Sequence, residues 1–279
     1  MELRLSAGAW SAVVLPDQGA GFARLDCAGV PVLAPLPPGA DPNATAAGAF
    51  WMMPWANRMA GGVLGPGWRL PVNHPDEDTA IHGLTRDHPF AVVGASGDHA
   101  RLEQEVDAAP YAYRVALTIR LRPEGLSVAA VITNRGARPA PVGLGWHPWF
   151  ARRAGQRLSF TACARLRSDA RLLPVDAVPD TGLAAAPVED LIGTDAHFAG
   201  WAGAALLEDA ALRLELHAGG AWARNLQLYV PPHAAAICLE PMSHIPDAPN
   251  RSTLVRYGAL RPLAAGASRI AWLRLRALR

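Results

Sequence analysis

The sequence predicts an all-β fold, a large antiparallel β-sandwich, and three observations predict it. The segment RVALTIRLRPEGLSVAAVIT, ending at Thr133, alternates apolar and polar positions twice, once on each side of Pro-Glu-Gly. Shorter alternating pieces recur around 3–5, 12–15, 212–216, 226–230 and 270–275. No segment keeps a well-capped helical period, and closely spaced strands without intervening helices favour a sandwich or barrel over a doubly wound sheet.

The elements follow in chain order. The pieces at 3–5 and 12–15 read as the first strands. Val115, Leu117, Ile119 and Leu121 then line one face of a strand, and Leu126, Val128, Ala130 and Ile132 line the same face of its hairpin partner. A strand through Val142 and Leu144 stops near GWHPWF, residues 145–150. Residues 166–194, with prolines among alanines and acidic residues, read as a long irregular excursion, and loops of that length are more often functional than idle. The pieces at 212–216, 226–230 and 270–275 complete the set. With no linker or repeat in view, residues 1–279 are expected to form a single domain.

Composition narrows the function. Of 279 residues 51% are hydrophobic and 18% charged, with 25 prolines and 26 glycines, as in a turn-rich globular protein. The formal charge is +2 and the basic residues are scattered, so a nucleic-acid partner is not expected. All 26 basic residues are arginine, which excludes Schiff-base, P-loop and kinase-type lysines. The N-terminus lacks the hydrophobic region of a signal peptide, and no run approaches a membrane span. Cys27, Cys163 and Cys238 are odd in number and widely spaced, without the CxxC pairs of a zinc or redox site. A reduced, cytoplasmic protein without metal or cofactor is the expectation, and the oligomeric state is open.

Four segments carry candidate chemistry. His147 lies between two tryptophans and before Pro148, which pushes it toward extended geometry at a strand end; it is either a satisfied core histidine or part of a site. Glu240 follows an apolar run in AAAICLEPMS and precedes a strand-ending proline. Buried there, it would have a raised pKa suited to a general base; facing water, it would do nothing. In PWANRMAGG, Arg58 sits between Asn57 and a Gly-Gly turn, where its donor fork could meet oxygen atoms or solvent. In IHGLTRDHPF, His82 and His88 could bind, cap or pack. Trp55, Trp146, Trp149 and Trp201 lie beside these residues, and their flat faces suit the C–H faces of sugars as well as a core. There is no HExxH or GxSxG, GAGFAR lacks the third glycine of a dinucleotide loop, and SHIPD, with Ser243, His244 and Asp247, reads as loop chemistry.

PWANRMAGG, IHG, GWHPWF and LEP, in that order along a β-rich chain, resemble the aldose 1-epimerase (galactose mutarotase) family, and the likeness covers nearly the whole chain. The resemblance implies a galactose mutarotase-like supersandwich that interconverts the anomers of free sugars without a cofactor. It implies His147 as general acid and Glu240 as general base, with Arg58 and His82 holding sugar oxygens. Asp195, in GTDAHF, most nearly matches the family's ring-hydroxyl aspartate. Asn57 and Trp149 join them as expected sugar contacts. Trp149, Met59 and Phe90 depart from the residues common at those positions, which bears on the pocket and not on the acid and base. Two alternatives remain beside a mutarotase: a non-catalytic sugar-binding or sensory protein on the same fold, and an epimerase acting on a phosphorylated sugar.

Overall fold

The structure, a computed structural model, describes residues 1–278. The expected hairpin forms between strands Tyr111–Arg122 and Gly125–Asn134, with Val115 opposite Ile132, Leu117 opposite Ala130, Ile119 opposite Val128 and Leu121 opposite Leu126. Register is set this way because a slip of one residue would turn the four apolar side chains of the shifted strand to the other face. The hairpin lies within a nine-stranded sheet, where Gly125–Asn134 pairs with Ser268–Leu278 and that strand pairs in turn with Arg213–Gly220.

A twelve-stranded antiparallel sheet forms the second layer. Its middle runs, strand beside strand, through Ala49–Met52, Gly145–Pro148, Ala236–Met242, Asn225–Tyr229 and Asp195–Ala199. One core joins the two sheets, with Trp51, Trp146, Leu226, Leu228 and Leu239 on the inner face of the larger sheet and Val115, Leu117 and Leu273 on the smaller. Side chains alternate between faces along a strand, so the neighbours of those core residues point away from the core.

Three expectations need correction. The strand expected to run through Val142 and Leu144 and stop near GWHPWF instead begins there, as Gly145–Pro148, with residues 142–144 outside any strand. Residues 166–194 are not an irregular excursion: they hold most of the strand Ala164–Ser168, the strands Pro174–Pro179 and Gly182–Pro187, and a 3₁₀ turn at Val188–Leu191. The prolines are tolerated because Pro174–Pro179 and Gly182–Pro187 end their sheets, where a missing N–H costs no second ladder. Nor does Pro241 end its strand, which continues to Met242. It falls between Ile237 and Met242, where the strand has no ladder partner on the Gly145–Pro148 side, while Leu226 pairs with it on the other.

Candidate active site

The outer face of the twelve-stranded sheet carries a row of polar side chains. Phe50 pairs with His147, Glu240 with Gln227, and Gln227 with His197, while the match of Gly145 to Met242 sets His147 opposite Glu240. The row therefore reads Phe50, His147, Glu240, Gln227, His197 across five neighbouring strands. One step of two residues along, Cys238, Tyr229 and Asp195 form a second row. Strand periodicity explains the selection: in Ile237-Cys238-Leu239-Glu240 the two aliphatic residues enter the core and the other two face the site.

His147 and Glu240 meet directly, Nε2 to Oε1, at 3.3 Å. They are 5% and 2% exposed, and neither His147 Nδ1 nor Glu240 Oε2 has a partner. Burial holds the imidazole down to about 3, with Arg86 and Arg58 adding to the effect. Burial drives the Glu240 carboxyl well above its ordinary value; the Asp195 charge adds to this and Arg58 opposes it. Both shifts favour the neutral forms. Phe50 stacks on the imidazole at 4.5 Å, Trp149 tilts against it at 4.8 Å, and His82 meets it edge-on at 5.2 Å. The Trp149 indole N–H is buried without an acceptor, a donor left for a ligand.

Arg58 and His82 arrive on a separate small ladder, in which Arg58–Ala60 pairs with Thr79–Ile81 and Arg58 faces Ile81. His82 has φ +65° and Gly83 φ +72°, and the His82 N–H donates to the Asn57 carbonyl at 3.2 Å. A Cβ on Gly83 would lie 2.1 Å from the Met53 carbonyl oxygen, which is the physical content of the His-Gly pair. Glu77 accepts from Arg58 Nε at 2.5 Å and from Nη2 at 3.2 Å, aiming the remaining nitrogen at Asp195, 3.9 Å away. Burial raises the Asp195 carboxyl, although Arg58 and a hydrogen bond from the Gln227 amide both pull it down.

All the expected site residues lie in this neighbourhood, with one difference of detail. The Asn57 amide oxygen accepts the Arg58 N–H at 2.8 Å, so that side chain shapes the turn carrying Arg58 while Asn57 also lines a small cavity with Asp195 and Gln227. SHIPD is structural: Asp247 accepts the Ala60 N–H at 2.9 Å and donates its own N–H to the Arg58 carbonyl at 2.8 Å, fastening the Arg58 strand. Sequence reasoning missed Glu77, His197 and Gln227. Gln227 sits in the alternating stretch NLQLY, where a polar residue reads as an ordinary solvent-facing position; only pairing with Glu240 reveals it. His197 lies two residues beyond Asp195, and that period-two spacing was an available signal.

A cation-binding set, among the described residues, would have to come from His147, Cys238 and Glu240, whose donor atoms lie within 4.8 Å of one another. Donors on one tetrahedral zinc stand about 3.3–3.8 Å apart given metal–ligand bonds of about 2.0–2.3 Å, so these would have to close up. The direct His147–Glu240 contact fits proton exchange better. The chemistry available is therefore an acid–base pair at an apolar wall, beside an arginine, a carboxylate and an amide able to hold hydroxyl groups.

The family model for aldose 1-epimerase matches residues 1–274. An Escherichia coli K12 structure, provisionally named an aldose 1-epimerase, is 27% identical, with a TM-score of 0.86 covering 100% of this chain and 99% of that one. A galactose mutarotase-like protein from Clostridium acetobutylicum shares the fold at 19% identity, with a TM-score of 0.86 over 99% and 94% of the two chains. The uncharacterized protein YphB of Escherichia coli K12 is 34% identical over 110 residues, a match spanning 38% of each chain. With the whole-length family match and the two-sheet fold, the chain belongs to the aldose 1-epimerase family.

Proposed function

We propose that the protein is a mutarotase, interconverting the α and β anomers of a free aldose by general acid–base ring opening. The observation that carries this reading is the buried 3.3 Å contact between His147 and Glu240, flanked by Arg58, Asp195 and Gln227 on the same face. The neutral resting pair holds one mobile proton. When a sugar sets its anomeric hydroxyl on Glu240 and its ring oxygen near His147, that proton passes from carboxyl to imidazole. The carboxylate then takes the hydroxyl proton while the imidazolium protonates the ring oxygen, and the bond from C1 to the ring oxygen breaks. The products are the open-chain aldehyde and the same neutral pair. Rotation about C1–C2 and the reverse transfers close the other anomer, each positioned transfer contributing roughly 10²–10⁴-fold.

His82, edge-on to His147, and Arg58 are placed to stabilise charge at the ring oxygen as preorganised donors. Trp149 offers the sugar an aromatic face. Three free cysteines support a cytoplasmic setting. A phosphorylated aldose is the second reading, favoured by Arg86, whose guanidinium lies 5.3 Å from the Phe50 ring, with a buried Nε that has no hydrogen-bond acceptor and only a 3.8 Å ion pair to Asp87.

The test is anomer exchange by NMR across a panel of aldoses in weak buffer. The parent protein accelerates exchange, and Glu240→Gln and His147→Asn each lose roughly 10²–10⁴-fold of it while remaining folded. Unchanged turnover in either variant refutes its role. Exchange only with sugar phosphates selects the second reading, and binding without exchange defines a sugar sensor.

A further inference from the structure

The site is closed. The cavity bounded by Asn57, Arg58, Asp195, His197 and Gln227 has room for about one water molecule, far less than a pyranose ring. Pro246 and the hairpin Ala164–Ser168 and Pro174–Pro179, through Ser168, Leu172 and Pro174, complete its lining, beside the His147–Glu240 pair and not including it. The tip of this hairpin is well made: Asp169 donates to the Leu173 carbonyl at 2.9 Å, and its side chain accepts from Arg171 and Leu173 at 2.9 and 3.0 Å. Within it Leu172 has φ +58°, a conformation that suits glycine or asparagine and strains leucine. A strained apolar residue thus lines the same cavity as Arg58 and Asp195.

Arg171, beside it, reaches across to the turn that orients Arg58. Its Nε and Nη2 donate to the Glu77 carbonyl at 2.9 and 2.7 Å, and Nη2 donates to the Asp78 carbonyl at 3.0 Å. Glu77 is the residue whose carboxylate grips Arg58. We propose that Leu172 occupies the place of the sugar in this closed state and selects the substrate, on a hairpin lid latched by Arg171 to Glu77 and Asp78; the proposal rests on the mutarotase reading above. Sugar and inward-facing Leu172 exclude each other, so the apparent affinity is the intrinsic one reduced by the fraction of open lid. Substituents on the sugar that meet the lid are discriminated by the room Leu172 leaves.

The test uses the full chain with Arg171→Ala and Leu172→Gly, read by NMR anomer exchange and by amide hydrogen exchange. Arg171→Ala lowers KM by up to about tenfold with kcat unchanged, since loss of charge-assisted hydrogen bonds raises the open fraction. It also speeds amide exchange across 169–173, while the hairpin Tyr111–Asn134 stays as slow as in the parent. Leu172→Gly, which relieves the backbone and enlarges the cavity, raises turnover of 6-O-methylgalactose relative to galactose. Unchanged KM and unchanged exchange at 169–173 in Arg171→Ala overturn the latch. A parent-like ratio of the two sugars in Leu172→Gly overturns selection by Leu172. If the parent turns over no aldose, the mutarotase reading fails, and the amide exchange of Arg171→Ala still decides the latch.

Discussion

His147 and Glu240 face each other at 3.3 Å across the stretch where Pro148 and Pro241 interrupt the pairing of their strands. Neither proline can donate to a ladder, so the two strands are joined at Gly145–Met242 and again at Phe150–Ile237 but not between. The acid–base pair occupies that gap. Each proline follows its titratable neighbour directly, so the same local feature that opens the ladder marks the site in the sequence.

Replacing Glu240 by glutamine changes stability in a pH-dependent way. The folded carboxyl titrates well above its ordinary value, so above about pH 4.5 the unfolded chain ionises while the folded chain keeps its proton, and the parent loses stability as pH rises. Glu240→Gln, still facing His147, Cys238 and Gln227, lacks that loss. Its stability relative to the parent grows by up to roughly 1.4 kcal/mol per pH unit above pH 4.5. Urea unfolding at pH 5 and pH 8 measures it; an equal difference at the two values contradicts the assignment.

Acid acts in the opposite direction through the histidines. Burial holds His147 down to about 3, and His197 and His244 down to about 4. Below about pH 6.5 the unfolded chain takes up protons that the folded chain refuses, so each histidine costs stability, by roughly 1.4 kcal/mol per pH unit, until its folded pKa is reached. Glu240 offsets one of them above pH 4.5. Thermal unfolding should therefore show a falling midpoint from pH 6.5 to pH 4.5, and a flat midpoint would mean these rings are hydrated.

Gln227 joins two parts of the site. Its amide nitrogen donates to Asp195, and its oxygen accepts from His197 Nδ1 at 3.1 Å. On the other side of the ring, His197 Nε2 lies 3.0 Å from the Asn225 amide oxygen, so both ring nitrogens face acceptors. Gln227→Leu strands both partners, and a buried unsatisfied group costs about 1–3 kcal/mol. KM for the sugar is expected to rise about tenfold or more as Asp195 loses its support, with a lower melting temperature alongside. A KM equal to the parent's would place Asp195 outside the sugar's reach.

Gly83→Ala tests the turn behind His82. Its φ of +72° and the 2.1 Å approach to the Met53 carbonyl leave no room for a methyl group. The expected cost is about 2 kcal/mol or more from backbone strain and overpacking. Anomer exchange should fall further than that destabilisation explains, because His82 moves off the edge of His147. Circular dichroism melting together with the NMR assay separates the two effects, and full activity in a destabilised variant would show that His82 is dispensable.

Much of the fold was legible because strands announce themselves by a period of two. The hairpin through Pro-Glu-Gly is found in the register its apolar residues require; the pieces at 3–5, 12–15 and 270–275 lie in strands, and those at 212–216 and 226–230 do so except for Leu212 and Val230, one residue outside Arg213–Gly220 and Asn225–Tyr229. Residues 166–194 were illegible for the complementary reason. Pro174–Pro179 and Gly182–Pro187 end their sheets with half-buried faces, so they lack clean alternation and carry prolines that a central strand would refuse. Glu77 gave no sequence signal, since a carboxylate after Pro-Asp in a turn is ordinary until Arg58 meets it.

The sequence by itself determined the cleanly alternating strands, the family, and the residue types able to move a proton, because periodicity and short motifs are local properties of the chain. Tertiary structure decided which of those residues meet. His147 and Glu240 are far apart in the chain and become neighbours through strand order; Gln227 and His197 join them through cross-strand register; and the hairpin at the end of the sheet brings Leu172 to the cavity that Arg58 also lines. Burial did the rest. In water the carboxyl would be ionised and the imidazole would titrate near neutrality, whereas removal of solvent shifts both toward their neutral forms.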